Sequence, residues 1–307
     1  MGNPQHNLLT AIDLGCAKTC VVVAQVTDTG LRYKAHGVVE SHGLRKGVII
    51  DLDKAAMSVH RAVAEAETIG AINLESAAVG VAGAHIRGVN SQGGIVLGPR
   101  AREIEREDVR AAAARARAIS LPADREVLHL LPQQYILDEQ PGVHDPEGMM
   151  GITLEVKVHV VTALSSATQN VVTVVNRAGI AVEDKVFEPI AAADAVLRAD
   201  EREIGMCLID IGAGSTDVAV FHDGAVVHAG SIPVGGDHFT NDIAVGLQTP
   251  LADAEKLKKL FGCAIVVRVP SCNEVEVPSL GDRPSRLMSQ RAIAEILEPR
   301  ARELFEL

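Results

Sequence analysis

The chain has 307 residues, enough for about two domains at roughly 150 residues each, and at 47% hydrophobic and 22% charged it has the balance of a globular protein with a sizeable core. A formal net charge of −11 argues against non-specific nucleic-acid binding, which depends on basic surface. Aromatic residues at 2%, with no Trp, argue against base- or sugar-stacking platforms.

In chain order, "GNPQHN" carries neither the basic nor the apolar region of a signal peptide, and no uncharged apolar run approaches about 18 residues. A cytoplasmic protein without a membrane span is expected. "LLTAIDLG" then reads as a buried strand ending in Asp13 and Gly15, with Lys18 close behind. Two readings stand at this point: an ordinary turn between strands, or half of a phosphate clamp. "CVVVAQVTDTG" and "LRYKAHGVVE" follow as strands, and "DKAAMSVHRAVAEAETIG" places Ala56, Val59, Val63 and Ala66 at helical spacing. The β-branched runs suggest a sheet covered by helices on both faces. "REIEREDVRAAAARARAI" reads as a helix with a solvated face, its acidic residues interleaved with Arg.

"VFEPIAAADAVL" sets Glu188 directly before Pro189, a residue favoured at the first helical position. Glu188 therefore starts a helix, where it either orients or deprotonates a water or caps the helix dipole. The order of the first segment then recurs as "MCLIDIG", "STDVAVFHDG", "AVVHAGSIPVGG" and the helical "DHFTNDIAVGL". Both copies close their first strand alike, with Asp13-Leu14-Gly15 and Asp210-Ile211-Gly212.

In "DIGAGSTD", Gly212, Ala213 and Gly214 let backbone N–H groups approach an anion, and Ser215 and Thr216 add hydroxyls. Asp13 and Asp210 suit a hydrated Mg²⁺, and Lys18 offers a point charge to a β- or γ-phosphate. A tight hairpin turn is the alternative. Neither a Walker A loop nor a dinucleotide fingerprint is present. The five scattered cysteines, Cys16, Cys20, Cys207, Cys263 and Cys272, form no C-x-x-C pair and are expected as small buried hydrophobes in a reducing compartment.

These stretches resemble the actin-like ATPase superfamily, which also holds sugar kinases and DnaK-type chaperones. "AIDLGCAKT" looks like its first phosphate loop, "LIDIGAGSTDVAVF" like its second, and "FEPIAAADAVL" like its connecting helix. "VGVAGAHIRGVNSQGGIVL", "IPVGGDHFTNDIAVGLQTPLADAEKLKKLFG" and "RLMSQRAIAEILEPRARELFEL" narrow the resemblance to the FtsA family of bacterial cell-division proteins, over essentially the whole chain.

The resemblance implies an α/β, two-lobed actin-like fold, a duplicated ribonuclease-H-like core with a small inserted α+β domain and an incomplete second lobe. It implies a first-lobe core at 1–83 and 161–200 and an inserted interaction domain at 84–160. The second lobe would comprise a core at 201–232 and 289–307 and a small subdomain at 233–288. Phosphate contacts would come from Gly15, Cys16, Ala17, Lys18 and Thr19, and from Gly212, Ala213, Gly214, Ser215 and Thr216. Gly235 and Gly236 would lie near the ribose, and Glu255 and Lys258 beside the adenine. Asp13 and Asp210 would hold Mg²⁺, and Glu188 would be the water-orienting residue.

The implied protein binds ATP with weak or no hydrolysis and self-associates into filaments. It links the tubulin-like FtsZ ring, through 233–288, to the cytoplasmic face of the membrane at the septum, and recruits later division proteins. An actin-like pilus-assembly adaptor and a small-molecule kinase are the alternatives. Cys16 departs from the usual Ser or Thr. The family continues past the last residue, Leu307, with an adenosine-binding motif, the rest of the second lobe and an amphipathic membrane-targeting helix, so the chain is expected to be a fragment or a truncated product. Residues 289–307, with Ile293, Ile296, Leu297, Leu304 and Phe305 at helical spacing, are expected to pack within the second lobe rather than lie on a membrane.

Overall fold

The structure is a computed structural model that describes residues 7–270, 272–281 and 283–307; the signal-peptide reading of residues 1–6 lies outside the described residues. By contacts the chain divides into two compact units, one of residues 1–210 and 217–231 and another of 211–216 and 232–307.

The first repeat folds as its pattern dictates. Strands Leu8–Leu14, Lys18–Thr27 and Gly30–Glu40 run antiparallel, with Leu14 opposite Thr19 and Leu8 opposite Gln25. Ser76–Val81 and Ala181–Phe187 add in parallel on the other side, giving a five-stranded sheet. Helix Leu52–Gly70 is capped by Asp51, whose carboxylate accepts from the Lys54 N–H at 3.0 Å. Its Val59, Ala62 and Val63 pack with Ile12, Leu14, Val21, Val23 and Val79 into one core, to which helix Ser165–Arg177 contributes Val174 and Val175.

Only alternate residues of the apolar runs enter that core. Val21 and Val23 are wholly buried, while Val22 and Val26 remain 43% and 45% exposed. In Met206–Ile211 the pattern is weaker still, with Cys207, Ile209 and Ile211 all exposed. The expected cover on both faces is therefore not met at these positions. The period-2 geometry of a strand sends its other residues to the face that carries Asp13.

A second, seven-stranded sheet is built around Thr153–Leu164, which pairs antiparallel with Arg87–Val96 and Arg125–Leu137. Helix Arg106–Arg117 buries Ala112 and Ala116 against Ile104, Leu154, Val156 and Val158, and leaves most of its arginines in solvent as the Ala/Arg pattern predicts. The strands of the second repeat, Ala225–Ile232, Thr216–His222 and Met206–Ile211, continue the same sheet. The junction is one residue pair, Gly230 with Arg87. Asn90 Nδ2 and Gln133 Nε2 reinforce it by donating to the carbonyls of Val227 and Val226 at 3.1 and 3.0 Å.

Phe187 sits at the centre of the core that joins these strands, wholly buried among Val81, Ile86, Val161, Ala193, Ala219 and Phe221. Its N–H donates to His129 Nε2 at 2.9 Å. Phe187→Ala is expected to cost about 3–5 kcal/mol, read as a fall in the denaturant midpoint at unchanged slope.

The second unit packs helices Gly236–Gly246, Leu251–Phe261 and Gln290–Glu306 with the hairpin Glu274–Val277/Arg286–Ser289. Ile243, Leu247, Leu257, Val275, Val277, Ile293 and Leu297 form its core. Arg300 clamps Asp242 at 2.6 and 3.2 Å, tying the last helix to the first. Ile293, Leu297 and Leu304 are buried as expected, but Phe305 is 70% exposed. It follows the buried Leu304 directly, about 100° further round the helix, and so leaves the apolar stripe.

Candidate functional site

The expected site residues fall into two groups, each within one unit. In the first unit, Asp13 lies near the end of strand Leu8–Leu14, and the turn through Gly15, Cys16 and Ala17 leads to Lys18 at the start of the next strand. The turn is pinned from both sides: Cys16 Sγ accepts from the Gly47 N–H at 3.1 Å, and the Ala17 carbonyl accepts from the Ser41 N–H at 3.1 Å. Thr19 is turned inward, fully buried, and its hydroxyl pairs with Ser41 Oγ at 2.6 Å. What it can offer a ligand is backbone.

Glu188 begins helix Glu188–Val196, with Pro189 behind it as the sequence predicts. Strand Ala181–Phe187 pairs in parallel with Ser76–Val81, Val186 opposite Gly80 and Phe187 opposite Val81, and this pairing delivers Glu188 to the face that carries Asp13. Asp13, Glu188 and Asp210 line one cavity of about 300 Å³, walled by small apolar residues including Ala11, Ala78, Gly80 and Ala191. Cys20, which pairs with Asp13 across the hairpin, lines it too.

The electrostatics follow from that crowding. Burial of its carboxyl among protein atoms, and then the negative charges of Asp13, Asp217 and Asp210, push Glu188 well above the usual carboxylate range. Asp13 is raised by the same burial and by Asp210, with Lys18 acting against both. An uncompensated group of carboxylates is electrostatically unfavourable, and a hydrated divalent cation is the chemistry that relieves it. Among the described residues no three His, Cys, Asp or Glu side chains converge to chelate a metal directly. Asp13 and Asp210 thus fit an ion held mostly through its waters.

Burial and then Asp13 also raise Cys20. Cys207 and Cys272 are exposed and Cys16, Cys20 and Cys263 half-buried, so the expected burial of the cysteines is not met. Alkylation followed by mass spectrometry is expected to label Cys207 and Cys272 before Cys20, because the thiolate is the nucleophile.

In the second unit the loop Gly212–Ser215 closes on itself, the Gly212 N–H donating to the Ser215 carbonyl at 2.9 Å. The Gly236 and Asp237 N–H groups donate back to the carbonyls of Gly212 and Ala213 at 2.9 and 2.8 Å. Gly235 takes extended backbone there, and a Cβ on it would lie 2.6 Å from both those carbonyl oxygens. The Thr216 hydroxyl donates to the Val234 carbonyl at 2.8 Å. Lys258 Nζ donates to the Gly236 carbonyl at 2.9 Å and pairs with Glu255 at 2.6 Å. Burial alone would raise Glu255; hydrogen bonds from Lys258, Thr240 and Lys259 outweigh it and hold the carboxyl below its usual range. Gly212 to Thr216, Gly235, Gly236, Glu255 and Lys258 thus lie in one hydrogen-bonded cluster.

Two residues escape the sequence reading. Asp217, buried in the first unit, accepts from the Gly83 N–H at 3.2 Å and adds to the field on Glu188. Its signal is local, a second carboxylate closing "DIGAGSTD". Gly80 leaves no such signal.

Two family models match the chain, described as "SHS2 domain inserted in FTSA" over residues 83–162 and "Cell division protein FtsA" over residues 207–301. The chain is 43% identical over 301 residues to the cell division protein FtsA of Pseudomonas aeruginosa, covering 98% of this chain and 72% of that one. It is 35% identical over 303 residues to FtsA of Escherichia coli K12, with the same coverage, and 35% identical over 302 residues to FtsA of Bacillus subtilis, covering 98% and 69%. Among solved structures, the PilM–PilN type IV pilus biogenesis complex superposes with a TM-score of 0.64 at 17% identity, over 97% of this chain and 74% of that one. MreB5 of Spiroplasma citri bound to ADP gives 0.54 at 16%, over 99% and 78%. These structural likenesses establish the actin-like ATPase fold, here with an SHS2 insertion.

Proposed function

The chain belongs to the FtsA family of bacterial cell-division proteins, and from that premise we propose that it is an ATP-binding adaptor which assembles into filaments and links the FtsZ ring to the cytoplasmic face of the septal membrane. One observation carries the nucleotide reading: three carboxylates, Asp13, Glu188 and Asp210, face one cavity beside Lys18. Carboxylates gathered this closely repel one another, and a cation in the cavity offsets that repulsion. Asp13 and Asp210 would hold a hydrated Mg²⁺, which supplies charge neutralisation for the phosphates.

Gly15 to Lys18, with the backbone of Thr19, would contact phosphate, as would the Gly212–Thr216 loop with Gly235 and Gly236. Glu255 and Lys258 would lie towards the nucleoside. Glu188 would orient the attacking water in whatever hydrolysis occurs. Residues 84–160 would serve contacts between subunits and with later division proteins, and residues 233–288 the contact with FtsZ. No helix among the described residues is long and apolar enough to cross a membrane.

Equilibrium titration with labelled ATP, with and without Mg²⁺, together with co-pelleting on FtsZ polymers, tests the reading. Mg²⁺-dependent ATP binding and FtsZ-dependent pelleting are expected. Loss of both would remove it.

A further inference from the structure

Strand Ser76–Val81 contributes buried side chains at Ala77, Val79 and Val81 to the cores beneath it, and one residue of the opposite phase has no side chain at all. That residue is Gly80. Its backbone does not require glycine, since it is absent from the positive-φ positions of the chain and sits in regular parallel pairing with Val186. A glycine inside such a strand is ordinarily a loss, because it packs nothing and frees the unfolded chain.

What excludes a side chain is Glu188. A Cβ on Gly80 would lie 2.7 Å from Glu188 Oε1, 2.8 Å from Cγ and 3.2 Å from Cδ, and these are the three nearest atoms. The carboxyl therefore occupies the space that any other residue at position 80 would fill. Phe187 fixes the backbone of Glu188 through its burial and its bond to His129, so the helix start cannot retreat from the sheet. Only the side chain can move.

We propose that Gly80 is the positioning residue for Glu188, its bare backbone being the seat that holds the carboxyl in the cavity with Asp13 and Asp210. The inference rests on the reading of Glu188 as the water-orienting group. The geometry also makes residue size at position 80 a control on hydrolysis separate from nucleotide affinity, because the three atoms nearest a Cβ there all belong to Glu188.

The test is Gly80→Ala in the full chain, read in two ways. A crystal structure is expected to show the Glu188 carboxyl driven from its place by a change of rotamer; a carboxyl that stays in place beside the added methyl group overturns the proposal. ATP turnover is expected to fall by about tenfold or more, as misplacement of a reacting group does, with ATP affinity unchanged. In the Glu188→Ala background the same substitution should have no further effect on kcat. A fall that persists there, or none with Glu188 present, overturns the proposal. Should Gly80→Ala fail to fold, the double variant with Glu188→Asp, one methylene shorter, is expected to fold; failure of both also overturns it. If the parent protein neither binds nor hydrolyses ATP, the functional reading falls, while the crystallographic arm still decides whether Gly80 seats Glu188.

Discussion

Glu188→Gln is expected to lower ATP hydrolysis by about 10²–10⁴-fold, the contribution typical of a positioned general base, while Mg²⁺–ATP still binds. The amide keeps the shape of the carboxyl and its contact with Gly80, and removes only the charge. The pH dependence has a definite sign. Burial and the neighbouring Asp13, Asp217 and Asp210 raise the Glu188 carboxyl well above its ordinary value, so the base is protonated at low pH and the rate rises as pH climbs through the raised value. In the Gln variant that limb should vanish.

Stability moves the opposite way. A carboxyl raised in the folded state binds its proton more tightly there than in the unfolded chain, so folding loses stability as pH rises above the unfolded value of about 4.3. Glu188→Gln is therefore expected to raise the neutral-pH melting temperature of the nucleotide-free protein, by about 2–4 °C for each kcal/mol of relieved charge burial. Differential scanning calorimetry from pH 5 to 8 would show wild type and variant converging at the acid end. A variant that hydrolyses ATP at the parent rate would contradict the first expectation, and one that melts at the parent temperature throughout would contradict the second.

Much of the site is legible in the sequence because it is local. Asp13 and Asp210 end their strands inside "AIDLG" and "LIDIG", and Glu188 is announced by Pro189, whose ring favours the first helical turn. What escapes is set by pairing between distant segments. Gly80 meets Glu188 only because two parallel strands align Gly80 with Val186 across more than a hundred intervening residues. Thr216 reads as a hydroxyl donor and Thr19 as a phosphate contact, yet the strands that carry them turn their hydroxyls inward to the Val234 carbonyl and Ser41. The cysteines fail for a similar reason. Cys207 has the composition of a core position, but the strand that carries it presents that face to solvent. Local chemistry survives in a sequence window; the choice of face and partner does not.

The second large effect is at Gly235. A Cβ there would lie 2.6 Å from the carbonyl oxygens of Gly212 and Ala213 and 2.8 Å from the Ala213 carbonyl carbon. These are backbone atoms, and unlike the Glu188 carboxyl they cannot step aside by rotation. The loop must withdraw as a whole. Withdrawal breaks the bonds from the Gly236 and Asp237 N–H groups to the same two carbonyls, at 2.9 and 2.8 Å, each worth about 0.5–1.5 kcal/mol. It also moves the Gly212–Thr216 backbone off the helix start to which those bonds tie it. Gly235→Ala is thus expected to weaken ATP binding by about tenfold or more, since each 1.4 kcal/mol is a factor of ten, and to lower the melting temperature with it. Gly98→Ala is the matched control: its nearest neighbour would be the Arg100 carbonyl at 3.6 Å, an ordinary contact, and its φ is not positive. Equal ATP affinity for the Gly235 and Gly98 variants would mean that the second loop does not carry the phosphates. Loss confined to Gly235→Ala ties the close backbone approach to nucleotide binding, because the clash touches no charged group and leaves every acidic side chain of the first unit in place.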